Sequence, residues 1–312
     1  MTRALVLSGG GSVGIAWQTG LAAGLAENDV ALTDADFIVG TSAGSAVGAL
    51  IARGGNYERR MEIYRDRART GASPSSTSGT AARLTTEATA ERMQKLTQLI
   101  GDALGGGASA EEARAAIGKF ALEANTEPEE QFVAGFAYLD STGASSRSSG
   151  AKGWPRGYAC TAVDAESGEF VVWDGSVDVD LPRAVASSCA VPGMFPPITI
   201  NGRRYVDGGM RSGTNADVAS GHDRVLIVSL MAGNRLGGAD NPWMDRYRRA
   251  MDSELGTLAE AGAGVETVLP DEEAAAALGA NLMDGSRALE ALETGIRQGK
   301  HEAERLRTFW SA

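Results

Sequence analysis

Residues 36 to 45 read Asp-Phe-Ile-Val-Gly-Thr-Ser-Ala-Gly-Ser. A short apolar run, Phe37 to Val39, meets a glycine, and an Ala-rich helical pattern follows from Ala43 to Arg53. The chain must pass from strand to helix almost without a loop. Gly40 and Gly44 remove the β-carbons that would obstruct such a turn. In this setting G-x-S-x-G reads as a nucleophile elbow: the serine, Ser42, sits on a sharp and strained turn with its hydroxyl clear of the sheet edge. The free N–H groups of the following helix then favour developing negative charge. With 41 glycines in 312 residues, the pattern also arises by chance, so other stretches have to decide.

Composition narrows the class. A chain of 312 residues, 43% hydrophobic, can bury one large α/β core or two small ones. The formal net charge of −11 repels phosphate backbones, which argues against nucleic-acid binding and limits any membrane contact to the periphery. Two cysteines, Cys160 and Cys189, are too few for a disulfide framework. Ala4 to Leu7 is too short for a signal-peptide core, and no apolar run approaches the ~20 residues of a membrane span. A soluble, cytoplasmic protein is expected; no cofactor or metal is called for, and the oligomeric state is left open.

Ala4-Leu5-Val6-Leu7 reads as a buried strand. Ser8-Gly9-Gly10-Gly11-Ser12-Val13-Gly14 follows, and then a helical pattern from about Ile15 to Glu27. Gly9, Gly11 and Gly14 satisfy G-x-G-x-x-G, so a dinucleotide-binding turn is one reading, with Asp34 or Asp36 as the ribose-binding acid and a Rossmann-type oxidoreductase as the function. The same geometry can instead form an oxyanion hole, with consecutive N–H groups aimed at a point beside a nucleophile.

Farther on, Tyr57 to Arg69 is an Arg-rich helical pattern in which Arg59, Arg60, Arg65, Arg67 and Arg69 read as a solvated basic face. Gly71 to Gly79 and Ser141 to Gly153 read as flexible linkers. Between them, helices are expected over Thr89 to Leu104, Ser109 to Glu123 and Glu129 to Leu139, and Ser109 with Glu112 forms a capping-box pattern. Residues 71–153 thus read as a helical insertion within a single domain spanning 1–312, either a lid or a structural subdomain.

Strands are expected at Tyr158 to Val163 and Glu169 to Trp173, joined at Ser167-Gly168. A short helix should cover Pro182 to Cys189. A hairpin at Asn201-Gly202 should run into Asp207-Gly208-Gly209. A further strand, Arg224 to Leu230, an edge strand, Val265 to Leu269, and helices over 241–261, 272–278 and 284–310 complete the chain. Strands alternating with helices imply a mostly parallel sheet covered on both faces.

Three stretches, Gly9 to Gly14, Gly40 to Gly44 and Asp207-Gly208-Gly209, occur in this order, with Ser187-Ser188-Cys189-Ala190-Val191-Pro192-Gly193-Met194-Phe195-Pro196-Pro197 ahead of the last. Together they resemble the patatin-like phospholipase family over residues 1 to about 55 and 155 to 232. The resemblance implies a three-layer α/β/α sandwich and a serine acyl-ester hydrolase acting on lipids or other acyl esters. It implies Ser42 as nucleophile, Asp207 as its partner in a dyad without histidine, and the N–H groups of Gly9, Gly10 and Gly11 as the oxyanion hole. Gly14, Gly40, Gly44, Gly208 and Gly209 would support these turns. One departure is Val13, where members usually carry Arg or Lys; it bears on substrate class more than on catalysis. Acyltransferase and thioesterase activities are close neighbours of this reading, and a non-catalytic scaffold of the same fold is a further alternative.

Histidine offers little else. Only His222 and His301 exist, and a Ser-His-Asp triad would have to recruit His222. Trp17, Met194, Phe195 and Trp243 could supply apolar surface for a lipid, but each reads first as ordinary core packing.

Overall fold

The computed structural model describes residues 1–70, 91–92, 94–99, 109–139, 153–230 and 242–311. Its elements in chain order are β1 (Arg3–Leu7), α1 (Gly11–Ala26), β2 (Phe37–Gly40), α2 (Ala43–Ala52), α3 (Tyr57–Thr70), α4 (Ala110–Glu123), α5 (Glu129–Ala134), β3 (Tyr158–Asp164), β4 (Phe170–Trp173), α6 (Leu181–Ser188), β5 (Ile198–Ile200), β6 (Arg203–Asp207), β7 (Arg224–Val228), α7 (Pro242–Glu260), β8 (Gly264–Val268), α8 (Glu272–Leu278) and α9 (Ala288–Ser311).

The strands form one mixed sheet in the order β5-β6-β3-β2-β1-β7-β8, with β4 pairing β3 off that path. The five strands from β3 to β8 pair in parallel, as βα units require. The β3–β4, β3–β6 and β5–β6 pairs are antiparallel. The hairpin β5–β6 turns at Asn201 and Gly202, whose φ values of 51° and 80° suit the tight turn that Asn-Gly signals. β8 is the edge strand that the sequence pattern predicts.

Side chains alternate across the sheet with period two. Leu5 and Leu7 face one core, built with α1, α2, α6 and α9. Ala4 and Val6 face another, closed by Met251 and Leu258 of α7. Farther along the same sheet, Val163 and Val206 meet Ile117 and Ala121 of α4. The result is the three-layer α/β/α sandwich. Helix α1 is apolar nearly all round, with thirteen of its sixteen residues buried, because it lies between the sheet and α9.

Much of the expected insertion falls on 71–90, 93, 100–108 and 140–152, so both expected linkers, Gly153 aside, and half of the Thr89–Leu104 helix lie outside the described residues; 91–92 and 94–99 are helical as expected. The parts described are packed down. α4 begins with the capping box, Ser109 Oγ accepting from Glu112 N–H and Glu112 Oε2 from Ser109 N–H. A β-carbon at Gly118 would fall under 3.0 Å from Ala165 O, so α4 lies directly against the backbone beyond β3. The expected helix 129–139 is instead α5 followed by a 3-10 turn at Ala137–Leu139. α5 is held by Arg183, which pairs with Glu129 and Glu130 at 2.6 Å each. The basic face on α3 is also not fully solvated: Arg60 turns inward, its guanidinium 4.3 Å from the ring centre of Tyr138, where the aromatic face stabilises the charge.

Candidate active site

Strand β3 is longer than its neighbour β2, and this positions the site. β2 ends at Gly40, opposite Cys160. On the same side of β3 but beyond that point, β6 arrives from the opposite direction and ends at Asp207, opposite Ala162. Both β2 and β6 lie across β3 from β4, which pairs Cys160 through Val163. The C-terminal ends of β2 and β6 therefore converge over Thr161, and the residues that follow them, with Asp207, are brought together.

Ser42 follows β2 with φ 53° and ψ −120°. That is a strained conformation for a residue with a β-carbon, of the kind worth ~1–3 kcal/mol. The glycines on either side are required by close approach. A β-carbon on Gly40 would fall under 3.0 Å from Gly44 O, and one on Gly44 under 3.0 Å from Leu7 O. Gly44 thus presses the elbow against the end of β1, which brings Ser42 beside the Gly-rich turn.

Asp207 is 2% exposed. Its Oδ1 accepts from Gly209 N–H at 2.7 Å. Burial raises its pKa to about 7, against the polar Ser42 side chain and the Gly209 N–H, which lower it. A carboxylate normally too weak to accept a serine proton is thereby poised as a base near neutral pH. Gly208 fits because a β-carbon there would collide with Thr161 Oγ1, whereas Gly209 borders Asp207 Oδ1 itself.

The Gly-rich turn is divided in its roles. Gly9 N–H donates to Gly213 O at 2.9 Å, so Gly9 is removed from the expected donor set. The N–H groups of Gly10, Gly11 and Ser12 open α1 and find no acceptor among the described residues. Gly11 has φ 60°, and a β-carbon on it would meet Leu282 O. Gly14 is less constrained; a β-carbon there would only touch Leu230 at 3.4 Å. Val13 is wholly buried, and its N–H donates to Leu282 O at 3.2 Å. Val13 thus packs into the core beneath the loop at Leu282.

Several residues that support the site had no signal of their own in the sequence. Thr41 Oγ1 and Thr161 Oγ1 share a hydrogen bond of 2.8 Å. Asn215, in a left-handed conformation, donates Nδ2 to Thr41 Oγ1 at 3.0 Å and to Ser212 O at 2.9 Å. Glu254 of α7 is buried, and its Oε2 accepts from Thr214 Oγ1 at 2.6 Å and Ala216 N–H at 2.8 Å. Its pKa is raised by burial, opposed by those hydrogen bonds. These polar groups lie behind the Ser42 and Asp207 turns and tie them together. Strand and turn threonines and asparagines of this kind are common in any sequence, so only the fold reveals them.

The other sequence candidates lie elsewhere. His222 stacks on Phe37 at 5.2 Å, and its Nδ1 meets Ala219 O at 2.9 Å. Phe37 begins β2 and Ser42 follows its end, so His222 sits at the opposite edge of the sheet and completes no triad. His301 is exposed on α9. Asp36 binds Arg3 N–H at 2.8 Å at that same far edge, and Asp34 lies in the 3-10 turn just before it. A ribose-binding acid belongs at the C-terminal end of β2, so neither can serve the Gly-rich turn. Trp17, Met194 and Phe195 are core residues; the Trp243 side chain lies outside the described residues. Both cysteines are free. Among the described residues, no cluster of His, Cys, Asp or Glu is placed to hold a metal ion, and no helix is long and apolar enough to cross a membrane.

Among solved structures, the chain aligns with the type III effector protein ExoU at 19% identity and TM-score 0.40, over 97% of this chain and 53% of that one. It aligns with VipD from Legionella pneumophila at 13% identity and TM-score 0.44, over 97% of this chain and 67% of that one. The chain thus spans about half the length of the first of these structures. No curated protein sequence matches. The profile of the family described as Patatin-like phospholipase matches residues 5–220, which contain Gly9 to Gly14, Ser42 and Asp207; the chain belongs to the patatin-like phospholipase family.

Proposed function

We propose that the protein is a lipase- or phospholipase-like serine acyl hydrolase working through a Ser42–Asp207 dyad. Family membership supports lipid acyl hydrolysis. The observation that carries the assignment of residues is the convergence of the β2 and β6 ends, which brings the strained Ser42 turn to a buried Asp207 whose pKa is raised to about 7.

In this mechanism, Asp207 accepts the Ser42 proton as Ser42 Oγ attacks the ester carbonyl carbon. The carbonyl π electrons move onto oxygen, and the resulting oxyanion is held by Gly10 and Gly11 N–H, each worth ~3 kcal/mol by comparison with oxyanion donors generally. Collapse breaks the bond to the alkoxide, which takes the proton back from Asp207, and leaves acyl-Ser42. Water then attacks the acyl carbon and loses a proton to Asp207; collapse of this second intermediate breaks the bond to Ser42 Oγ, which takes the proton back from Asp207, and the carboxylic acid leaves. The fold supplies the pre-orientation, and burial supplies the base strength.

The test is labelling with a fluorophosphonate, followed by intact mass and peptide mapping, alongside turnover of an activated ester. A single adduct on Ser42 is expected, slowed greatly in Asp207→Ala. Wild-type turnover by Ser42→Ala would falsify the assignment.

A further inference from the structure

One short segment, residues 188–190 at the end of α6, bonds to main-chain groups of both site residues. Ser188 Oγ accepts from Ser42 N–H at 3.0 Å. Cys189 Sγ donates to Ser42 O at 3.2 Å. Ala190 O accepts from Asp207 N–H at 3.0 Å. Three consecutive residues thus contact both polar main-chain groups of Ser42 and the N–H of Asp207; Ser42 O also accepts from Ser45 N–H at 2.9 Å and Ser45 Oγ at 2.6 Å, whereas Ser42 N–H goes to Ser188 alone among the described residues. The segment is itself anchored: Ser188 is wholly buried, and Cys189 N–H returns to Val185 O and Ala186 O.

A backbone conformation as unfavourable as that of Ser42 persists only where its surroundings over-determine it. The turn glycines permit the conformation without enforcing it. We propose that Ser188 and Cys189, with Ala190, are positioning residues: a caliper that holds Ser42 in its strained conformation and sets its separation from Asp207. None of the three needs to touch the substrate. The role rests on the dyad reading above and adds to it a specific origin for the dyad's geometry. Misplacing a reacting group by about 1 Å costs on the order of a hundredfold in rate, so small losses of alignment should be visible.

The experiment compares fluorophosphonate labelling of Ser42 with steady-state hydrolysis of an activated ester in Ser188→Ala, Cys189→Ala, Cys189→Ser and Ser187→Ala. Ser187 is the control, equally buried and one residue away, but bonded to Trp173 and Ala184 rather than Ser42. Ser188→Ala is expected to reach the full one-adduct endpoint, which shows an intact fold. Its labelling rate and kcat should fall roughly tenfold or more with KM unchanged. Cys189→Ala should slow by less, and Cys189→Ser, which keeps a donor, should recover. Ser187→Ala should lose melting temperature and keep its rates. Wild-type rates in Ser188→Ala, or equal slowing in Ser187→Ala, would overturn the caliper. If Ser188→Ala does not fold, the Cys189 pair decides: equal rates in its Ala and Ser forms overturn the proposal. Failure of wild type to label at Ser42 removes the dyad and the caliper together, whereas wild-type labelling with an undiminished Ser188→Ala removes the caliper alone.

Discussion

Asp207 carries opposite demands. As a base it must ionise near neutral pH, yet ionising it in a buried site works against the fold. Its folded pKa of about 7 lies above the ~3.9 of an unfolded aspartate. Between those values the folded state binds the extra proton, so this residue's contribution to stability falls as pH rises through that window, while activity rises with a midpoint near 7. Asp207→Asn keeps an oxygen for Gly209 N–H and removes the charge. It should abolish turnover and stabilise the fold by a few kcal/mol at pH 8.5, with the gain shrinking at pH 5.5. Denaturant melts at the two pH values measure this; a gain independent of pH would mean that Asp207 is not the titrating group. Ser42 offers a parallel case. Ser42→Gly relieves φ 53° and should raise stability by ~1 kcal/mol, whereas Ser42→Ala, equally inactive, keeps a β-carbon in the strained backbone and should not. Equal melting temperatures for the two variants would refute the strain.

At the scale of elements, the two glycine-bearing turns were legible because close approach demands glycine, and glycine is visible in a sequence. Their glycines are nonetheless unequal. Gly44→Ala places a carbon under 3.0 Å from the Leu7 backbone and should dismantle the elbow, costing activity and several kcal/mol. Gly14→Ala makes only ordinary contacts at 3.4 and 3.7 Å and should label at near wild-type rate. Similar losses in both would show that the turns answer to sequence pattern rather than to packing. The Asn201-Gly202 hairpin was readable for the same reason, since both residues occupy positive φ. What could not be read was pairing. β6 appears in sequence as half of a local hairpin; that it also joins β3 antiparallel, where β2 has ended, depends on strand lengths and on partners more than forty residues away. Gly9 is not a free donor, and the sequence hides this because Gly213 O, which takes its N–H, comes into reach only through the fold. Arg60 is not solvated for the same reason: Tyr138 lies in a distant turn.

The whole molecule extends the family-matched segment, 5–220, with β7, β8 and three helices, and these return to the site. α9 packs along α1 through glycines on both helices. β-carbons at Gly20 and Gly24 would fall under 3.0 Å from the backbone oxygens of Leu292 and Ile296, and those at Gly295 and Gly299 under 3.0 Å from Trp17 O and Leu21 O. Each helix carries two glycines four residues apart, on one face. Trp17 Nε1 adds a hydrogen bond of 3.2 Å to Gln298 Oε1. The N-terminus of α1 is the Gly10–Gly11 turn, and the loop before α9 places Leu282 O on Val13 N–H. The C-terminal helix therefore braces the donors proposed to hold the oxyanion. Gly295→Ala, on the side of α1 away from the sheet, must part the two helices. It should lower stability by ~1–3 kcal/mol and slow labelling of Ser42 by displacing α1. Gly256→Ala is the matched control, since a β-carbon there meets nothing within 4 Å, and alanine is the better helix former; it should be neutral or slightly stabilising, with labelling unchanged. Urea unfolding and labelling rates of the two variants decide the matter. Were Gly295→Ala to unfold and label as wild type does, α9 would be free to move from α1, and the C-terminal third would have no hold on the site.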